Sequence, residues 1–217
     1  MIIKENELEK NYSNIEDLNG KLLCGNTLKI LEKIPNNSIE LIITSPSYYL
    51  GKDYEKIETF DEYLDYHKNV IGECKRILKS DGAIFWNVGQ TLIDKDKKEV
   101  VPLGAVFYKI FKEMDFFLKN WIIWKFNGGP TPSSRLFGRY ENILWLVKDK
   151  YNYKFNLDTI RVPSKWIKDP RCNIEGKNPE DFWIFDFRTN KEKLLDIQSK
   201  LKKFRRDIKK QSFDSSD

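Results

Sequence analysis

Ser45-Pro46-Ser47-Tyr48-Tyr49 is the stretch of this sequence whose residue types could do chemistry together. A small polar residue, a proline and a ring in close succession can hold a flat aromatic ligand and hydrogen-bond its edge. A second such set lies between residues 127 and 140, where Arg135, Phe137 and Arg139 stand in a long Gly-, Pro- and Ser-rich segment. Arginine beside an aromatic is the material for phosphate and base contacts, and a connection this long is more than a hairpin needs. His67, the single histidine, falls on the apolar face of a predicted helix and reads as structural. The three cysteines are scattered, with no Cys-x-x-Cys, so neither a disulfide framework nor a Cys/His zinc site is expected.

Elements must hold these residues in place. Leu41-Ile42-Ile43 reads as a buried strand stopped by Ser45 and Pro46, which puts the Tyr48 loop beyond the strand's carboxyl end, where open α/β sheets bind ligands. Residues 21–24 read as a short strand, 27–34 as a helix and 39–43 as the next strand, a β-α-β unit. Residues 1–18 show no pattern. Thr59-Phe60-Asp61-Glu62 is a capping box opening a helix with Tyr63, Leu64, His67, Ile71, Cys74 and Leu78 on one face, ended by Ser80-Asp81-Gly82. A buried strand over 83–89 follows, and its polar end at Asn87 lies beside the Ser45 loop if the two strands are parallel neighbours. A helix over 101–114 and aromatic strands over 116–126 and 142–147, paired antiparallel, complete the pattern.

With 217 residues, 40% hydrophobic and 33% charged, the chain is expected to be one soluble catalytic and recognition part over 1–190, with a basic amphipathic tail over 191–217. The tail carries nine Lys/Arg against five Asp/Glu, most of the net charge of +5, which suits a polyanion or a solvated helix face. The longest apolar runs are far short of a membrane span, and no signal peptide is seen, so a bacterial cytoplasmic location is expected.

Residues 42–54, IITSPSYYLGKDY, resemble the catalytic loop of amino-group DNA methyltransferases, usually written Ser/Asn/Asp-Pro-Pro-Tyr/Phe. The resemblance continues through 22–26, 87–89, 124–148 and the GKNPEDFW segment at 176–183, and so covers roughly residues 20–185 in the order of enzymes that place this loop early. It implies a partial Rossmann-like α/β fold with a mixed sheet and an antiparallel aromatic hairpin. It implies methyl transfer from S-adenosylmethionine to the exocyclic amine of cytosine or adenine in double-stranded DNA, with a serine at the first loop position favouring cytosine. The side chain of Ser45 and the carbonyl of Pro46 then accept the two amino hydrogens, and Tyr48 stacks on a base flipped from the helix. Asn26, Thr44 and Asn87 fall near the cofactor, and Arg135, Phe137, Arg139 and Lys165 against DNA.

The sequence departs from that family at Ser47, which replaces a second proline, at Tyr49, and at Asn26, which replaces an aspartate. The family's Asp-Pro-Phe-x-Gly-x-Gly turn is missing, and none of the eleven glycines forms a Gly-x-Gly pair. A second polypeptide or a homodimer copy would then supply the cofactor site. Alternatively the chain is a truncated remnant or a catalytically inactive DNA-binding relative.

Overall fold

The computed structural model describes residues 2–5, 12, 14–52, 55, 59–93, 99–127, 132–136, 138–164, 169–170 and 173–184. The basic amphipathic tail over 191–217 lies outside them. Along the chain run β1 (Ile2–Lys4), β2 (Leu22–Cys24), α1 (Thr27–Leu31), β3 (Ile39–Thr44), α2 (Phe60–Ile77), β4 (Leu78–Val88), β5 (Gln90–Leu92), β6 (Val100–Pro102), α3 (Leu103–Glu113), β7 (Phe117–Lys125), β8 (Tyr140–Val147) and β9 (Phe182–Ile184). The main sheet has the order β3-β4-β8-β7-β9, with β3 parallel and β8 antiparallel to β4. It is the mixed sheet that the sequence predicts, and β7 and β8 are the neighbouring aromatic strands.

The chain separates into two compact units. The first holds residues 1–124 and 140–183, and the second 125–139 and 184–217. In the first unit, one face of the sheet is a packed core. Ile84, Trp86 and Val88 of β4 and Leu144 and Leu146 of β8 alternate onto it. Tyr63, Ile71 and Cys74 from α2 and Leu103, Phe107 and Phe111 from α3 fill the space above. On the other face Phe85 stacks on Trp145, with ring centroids 5.7 Å apart, and Phe155 and Tyr153 lie against Trp145. Over β3 that face is open: Ile43 is 73% and Leu41 50% exposed. β3 is also the edge strand of the main sheet.

Several details differ from the expectations. Residues 1–18 are not patternless, because Ile2–Lys4 pairs in parallel with Leu22–Cys24. That two-stranded sheet is separate from the main sheet. A short β5–β6 hairpin precedes α3. The capping box of α2 forms in both directions, with Glu62 N–H on Thr59 Oγ1 at 3.2 Å and Thr59 N–H on Glu62 Oε2 at 3.1 Å. The helix nevertheless ends at Ile77, not at Ser80–Gly82. Tertiary partners take its last carbonyls: Asn37 N–H donates to Arg76 O and Ser38 N–H to Ile77 O. Leu78 thereby joins β4 against Ile39. Gly82 serves the strand instead, since a Cβ there would lie 2.8 Å from the Leu78 side chain and 3.0 Å from Glu40 O.

α1 is likewise shorter than residues 27–34. Its last turn tightens, with Lys33 N–H on Ile30 O and Ile34 N–H on Leu31 O. The guanidinium of Arg76, on α2, fixes this turn by donating to Leu31 O (2.7 Å), Ile34 O (2.8 Å) and Asn36 Oδ1 (2.6 Å), while Glu73 holds its other side. Arg76→Ala strands the Ile34 carbonyl and removes one of two bonds to Leu31 O, and we expect it to lower unfolding free energy by about 1–3 kcal/mol, read by urea denaturation.

His67 is structural, as its place on the helix predicts. It is 3% exposed, its Nδ1 lies 2.7 Å from Tyr63 O, and its ring sits among Tyr63, Tyr66, Trp86 and Phe107. Burial lowers its pKa from 6.5, only partly opposed by the Tyr63 carbonyl. The unfolded chain therefore binds a proton near pH 6.5 that the folded chain refuses. Stability is full above that pH and falls as pH drops below it, and His67→Phe is expected to remove this part of the pH dependence of the melting temperature.

Candidate acceptor site at the tip of the third strand

β3 stops because Pro46 cannot donate to a ladder, and the next residues turn over the carboxyl ends of β3 and β4. Thr44, half-buried, is the last strand residue and pairs with Trp86. The loop is clamped at each step. Tyr63 Oη donates to Ser47 O at 2.7 Å, and Thr91 Oγ1 donates to Tyr49 O at 2.7 Å. Tyr49 takes a left-handed conformation, φ 55°, which is costly for a side chain of this size. Its ring is held between Phe60 and Tyr63, at centroid distances of 5.5 and 5.4 Å. The aromatic core on α2 thus sets the loop.

Tyr48 is the hub. Its hydroxyl lies 2.8 Å from Ser45 Oγ, 3.0 Å from Glu141 Oε2, 3.1 Å from Asn87 Nδ2 and 3.4 Å from Asn87 O. Asn87 Nδ2 also donates to Glu141 Oε2 at 2.6 Å. Gly89 makes room: a Cβ there would stand 3.3 Å from the Tyr48 ring. The proton positions follow. The amide of Asn87 turns its NH2 toward the carboxylate, and its two hydrogens serve Glu141 and Tyr48. The single Tyr48 proton goes to the carboxylate, the nearer and charged acceptor. Ser45 is then the donor to Tyr48, and its exposed Oγ keeps its lone pairs for a further donor. Among the described residues the Pro46 carbonyl accepts no hydrogen bond. Two free acceptors on consecutive residues can take the two hydrogens of an amino group. Burial pushes the Tyr48 phenol well above its ordinary range; its bond from Ser45 opposes this, and the Glu141 charge adds to it.

The structure thus brings Ser45, Pro46, Tyr48 and Asn87 together, with Thr44 at the strand end. Asn26 is used otherwise: its Oδ1 caps α1 by accepting from Lys29 N–H (3.3 Å), and its own N–H donates to Glu5 Oε2 (2.8 Å). Arg135 is exposed in the second unit, and there the carbonyl of half-buried Arg139 accepts from Phe126 N–H at 3.1 Å. Phe137 and Lys165 lie outside the described residues. Sequence reasoning missed Glu141. The available signal was its place, a carboxylate at the start of a strand that, if antiparallel to 83–89, begins where that strand ends.

The cofactor residues fail a test of fit. The Oδ1 and backbone N–H of Asn26 are taken by the cap and Glu5, which leaves only its side-chain NH2, and the amide hydrogens of Asn87 are taken by Glu141 and Tyr48. Asn87 Oδ1 has no partner but is closed off from solvent. These residues do not by themselves build a site for S-adenosylmethionine.

The chain matches the N6/N4 DNA methylase family over residues 39–210. It is 37% identical over 175 residues to the type II methyltransferase M.BglII of Bacillus subtilis, covering 76% of this chain and 48% of the relative. It is 34% identical over 169 residues to M.HpaI of Haemophilus parainfluenzae, covering 76% and 50%. The chain thus spans about half the length of these relatives. Among solved structures it resembles the PvuII DNA methyltransferase (cytosine-N4-specific), with a TM-score of 0.53 and 22% identity over 76% of this chain and 56% of that one; the likeness is one of fold. The match covers the Ser45 loop, the Asn87 strand and the Glu141 strand together, and the chain belongs to the N6/N4 DNA methylase family.

Proposed function

We propose that this chain is the acceptor-side part of a site-specific DNA methyltransferase of restriction–modification type. Its target is the exocyclic amine of cytosine or adenine in double-stranded DNA. The observation that carries this reading is the pair of acceptors on consecutive residues, exposed Ser45 with its Oγ and Pro46 with a carbonyl that accepts no bond among the described residues, on a loop held by Tyr48, Asn87 and Glu141. An aromatic amine is a weak nucleophile because its lone pair is delocalised. Bonding both its hydrogens draws the nitrogen toward tetrahedral geometry, so positioning and electrostatics supply the catalysis. The base must leave the duplex, at a cost of roughly a few kcal/mol, and the Tyr48 ring is its contact in the site. Arg135, Phe137, Arg139 and Lys165 serve the DNA backbone and neighbouring bases, and the basic tail over 191–217 adds to that field. No helix among the described residues is long and apolar enough to cross a membrane.

S-adenosylmethionine is the methyl donor the family implies, and its site requires residues beyond those described. Three observations support this. The chain spans about half its relatives. It has no Gly-x-Gly pair. And β3 is an edge strand with Leu41 and Ile43 exposed, a free edge and an apolar face of the kind a further strand and helix cover. A second polypeptide or a second copy of this chain would fill that place. The test is calorimetry with S-adenosylmethionine, followed by methyl transfer to DNA by the chain alone and with the product of the neighbouring gene. No cofactor binding alone and methylation in the mixture are expected. The missing Gly-x-Gly pair also favours a second reading, a DNA-binding relative without catalysis. That reading predicts salt-sensitive DNA affinity, falling by roughly 0.9 log unit per neutralised phosphate for each tenfold rise in salt, and no methylation in any mixture.

A further inference from the structure

The side-chain hydrogen bonds that link Ser45, Tyr48 and Asn87 lead to one carboxylate. Ser45 donates to Tyr48, Tyr48 donates to Glu141, and Asn87 steadies both Tyr48 and Glu141. We propose that Glu141 is the terminal proton acceptor of a relay that begins at Ser45, and that it positions Ser45 through Tyr48. The inference rests on the amino-methyl transfer proposed above.

The chemistry requires such an acceptor. When the amino nitrogen gains a methyl group it becomes cationic, and one N–H bond must break with its electron pair staying on nitrogen. A serine hydroxyl alone is a poor base. Here the proton passes to Ser45 Oγ, the Ser45 proton passes to Tyr48 Oη, and the Tyr48 proton passes to Glu141 Oε2. The nitrogen goes from positive to neutral, the carboxylate from negative to neutral, and both hydroxyls end as they began. The heavy-atom separations along the path are 2.8 and 3.0 Å, both within hydrogen-bond range.

Three features make the path directional. The NH2 of Asn87 blocks the reverse arrangement, because it offers only hydrogens to Glu141 and to Tyr48. The Tyr48 phenol holds its own proton firmly, so it gives one up only as it receives one from Ser45. And among the described residues the only titratable side chain hydrogen-bonded to Glu141 is Tyr48, so no lysine or arginine there competes for the carboxylate. A chain of hydroxyls ending on an anion polarises toward it, which makes Ser45 Oγ a better acceptor as charge develops on the amine. An amide in place of the carboxylate could accept the same two hydrogen bonds but could not take the proton, and that separates a relay from mere positioning.

The test is Glu141→Gln in the full chain, assayed with whatever components support methyl transfer by the unaltered chain. We expect kcat to fall by about 10²-fold, the KM for DNA to stay unchanged, and Glu141→Asp to recover part of kcat. A Glu141→Gln chain with unaltered kcat overturns the relay. A second measurement needs no activity: the 13Cζ resonance of Tyr48, assigned by its loss in Tyr48→Phe, is expected to move in Glu141→Gln. An unmoved resonance overturns the hydrogen bond on which the relay depends. If the resonance moves but no mixture methylates DNA, the functional reading fails and takes the relay with it, while the Tyr48–Glu141 contact stands.

Discussion

Replacing Trp86 by alanine is expected to destabilise the first unit by about 3–5 kcal/mol, the largest effect of any single truncation in this core. Trp86 is 1% exposed at the centre of the helix-covered face of β4. Its ring meets Phe107 and Phe111 from α3, each at a centroid distance of 5.3 Å, and His67 from α2 at 6.2 Å. Truncation therefore opens a cavity between both helices and the sheet, where neighbouring side chains are too well packed to collapse into it. Trp86→Phe should cost far less. The indole Nε1 is buried without a partner, and that substitution removes an unsatisfied donor along with the volume. Urea unfolding of the two variants checks both magnitudes. The consequence for function is local, since Trp86 precedes Asn87 and pairs with Thr44 at the strand tips.

Ser45→Ala is expected to have the opposite profile. Ser45 is exposed, its one hydrogen bond shown here is to Tyr48, and its loop is clamped by Tyr63 and Thr91 through the backbone of Ser47 and Tyr49. The melting temperature should be nearly unchanged. Methyl transfer, in a mixture where the unaltered chain is active, should fall by about 10²–10³-fold, the scale seen when one preorganised hydrogen-bond partner of a reacting group is removed. The loss should appear in kcat, because the amino hydrogens are held most strongly as the nitrogen pyramidalises. A large loss of stability in Ser45→Ala, or a loss confined to KM for DNA, would mean that Ser45 supports the loop or binds the base without sharing in the reaction.

Much of this arrangement was legible in the sequence. The strands over 83–89 and 142–147, the capping box at Thr59 and the proline stop after Thr44 are local signals, and each formed as its residues predict. The neighbourhood of Asn87 and the Ser45 loop followed from parallel pairing of two apolar strands. What escaped was set by distant partners. Glu141 is an ordinary strand-end carboxylate until the antiparallel register, Asn87 opposite Ile143 and Val88 opposite Asn142, brings it to the loop. The early end of α2 depends on the N–H groups of Asn37 and Ser38, and the tight end of α1 on Arg76. The resemblance puts Asn26 near the cofactor, and the cap its Oδ1 makes on α1 is a further role that the resemblance does not show. Periodicity carries no information about such pairings, which arise only when the sheet order is fixed.

The account turns on whether Ser45 presents a DNA amine for methylation. The most direct measurement is mass spectrometry of nucleosides from DNA of cells expressing the chain with its neighbouring gene, in unaltered form and as Ser45→Ala. N4-methylcytosine or N6-methyladenine that is present with the unaltered chain and lost with Ser45→Ala is the predicted result. Methylated nucleoside at the same level in both, or in neither, would contradict it.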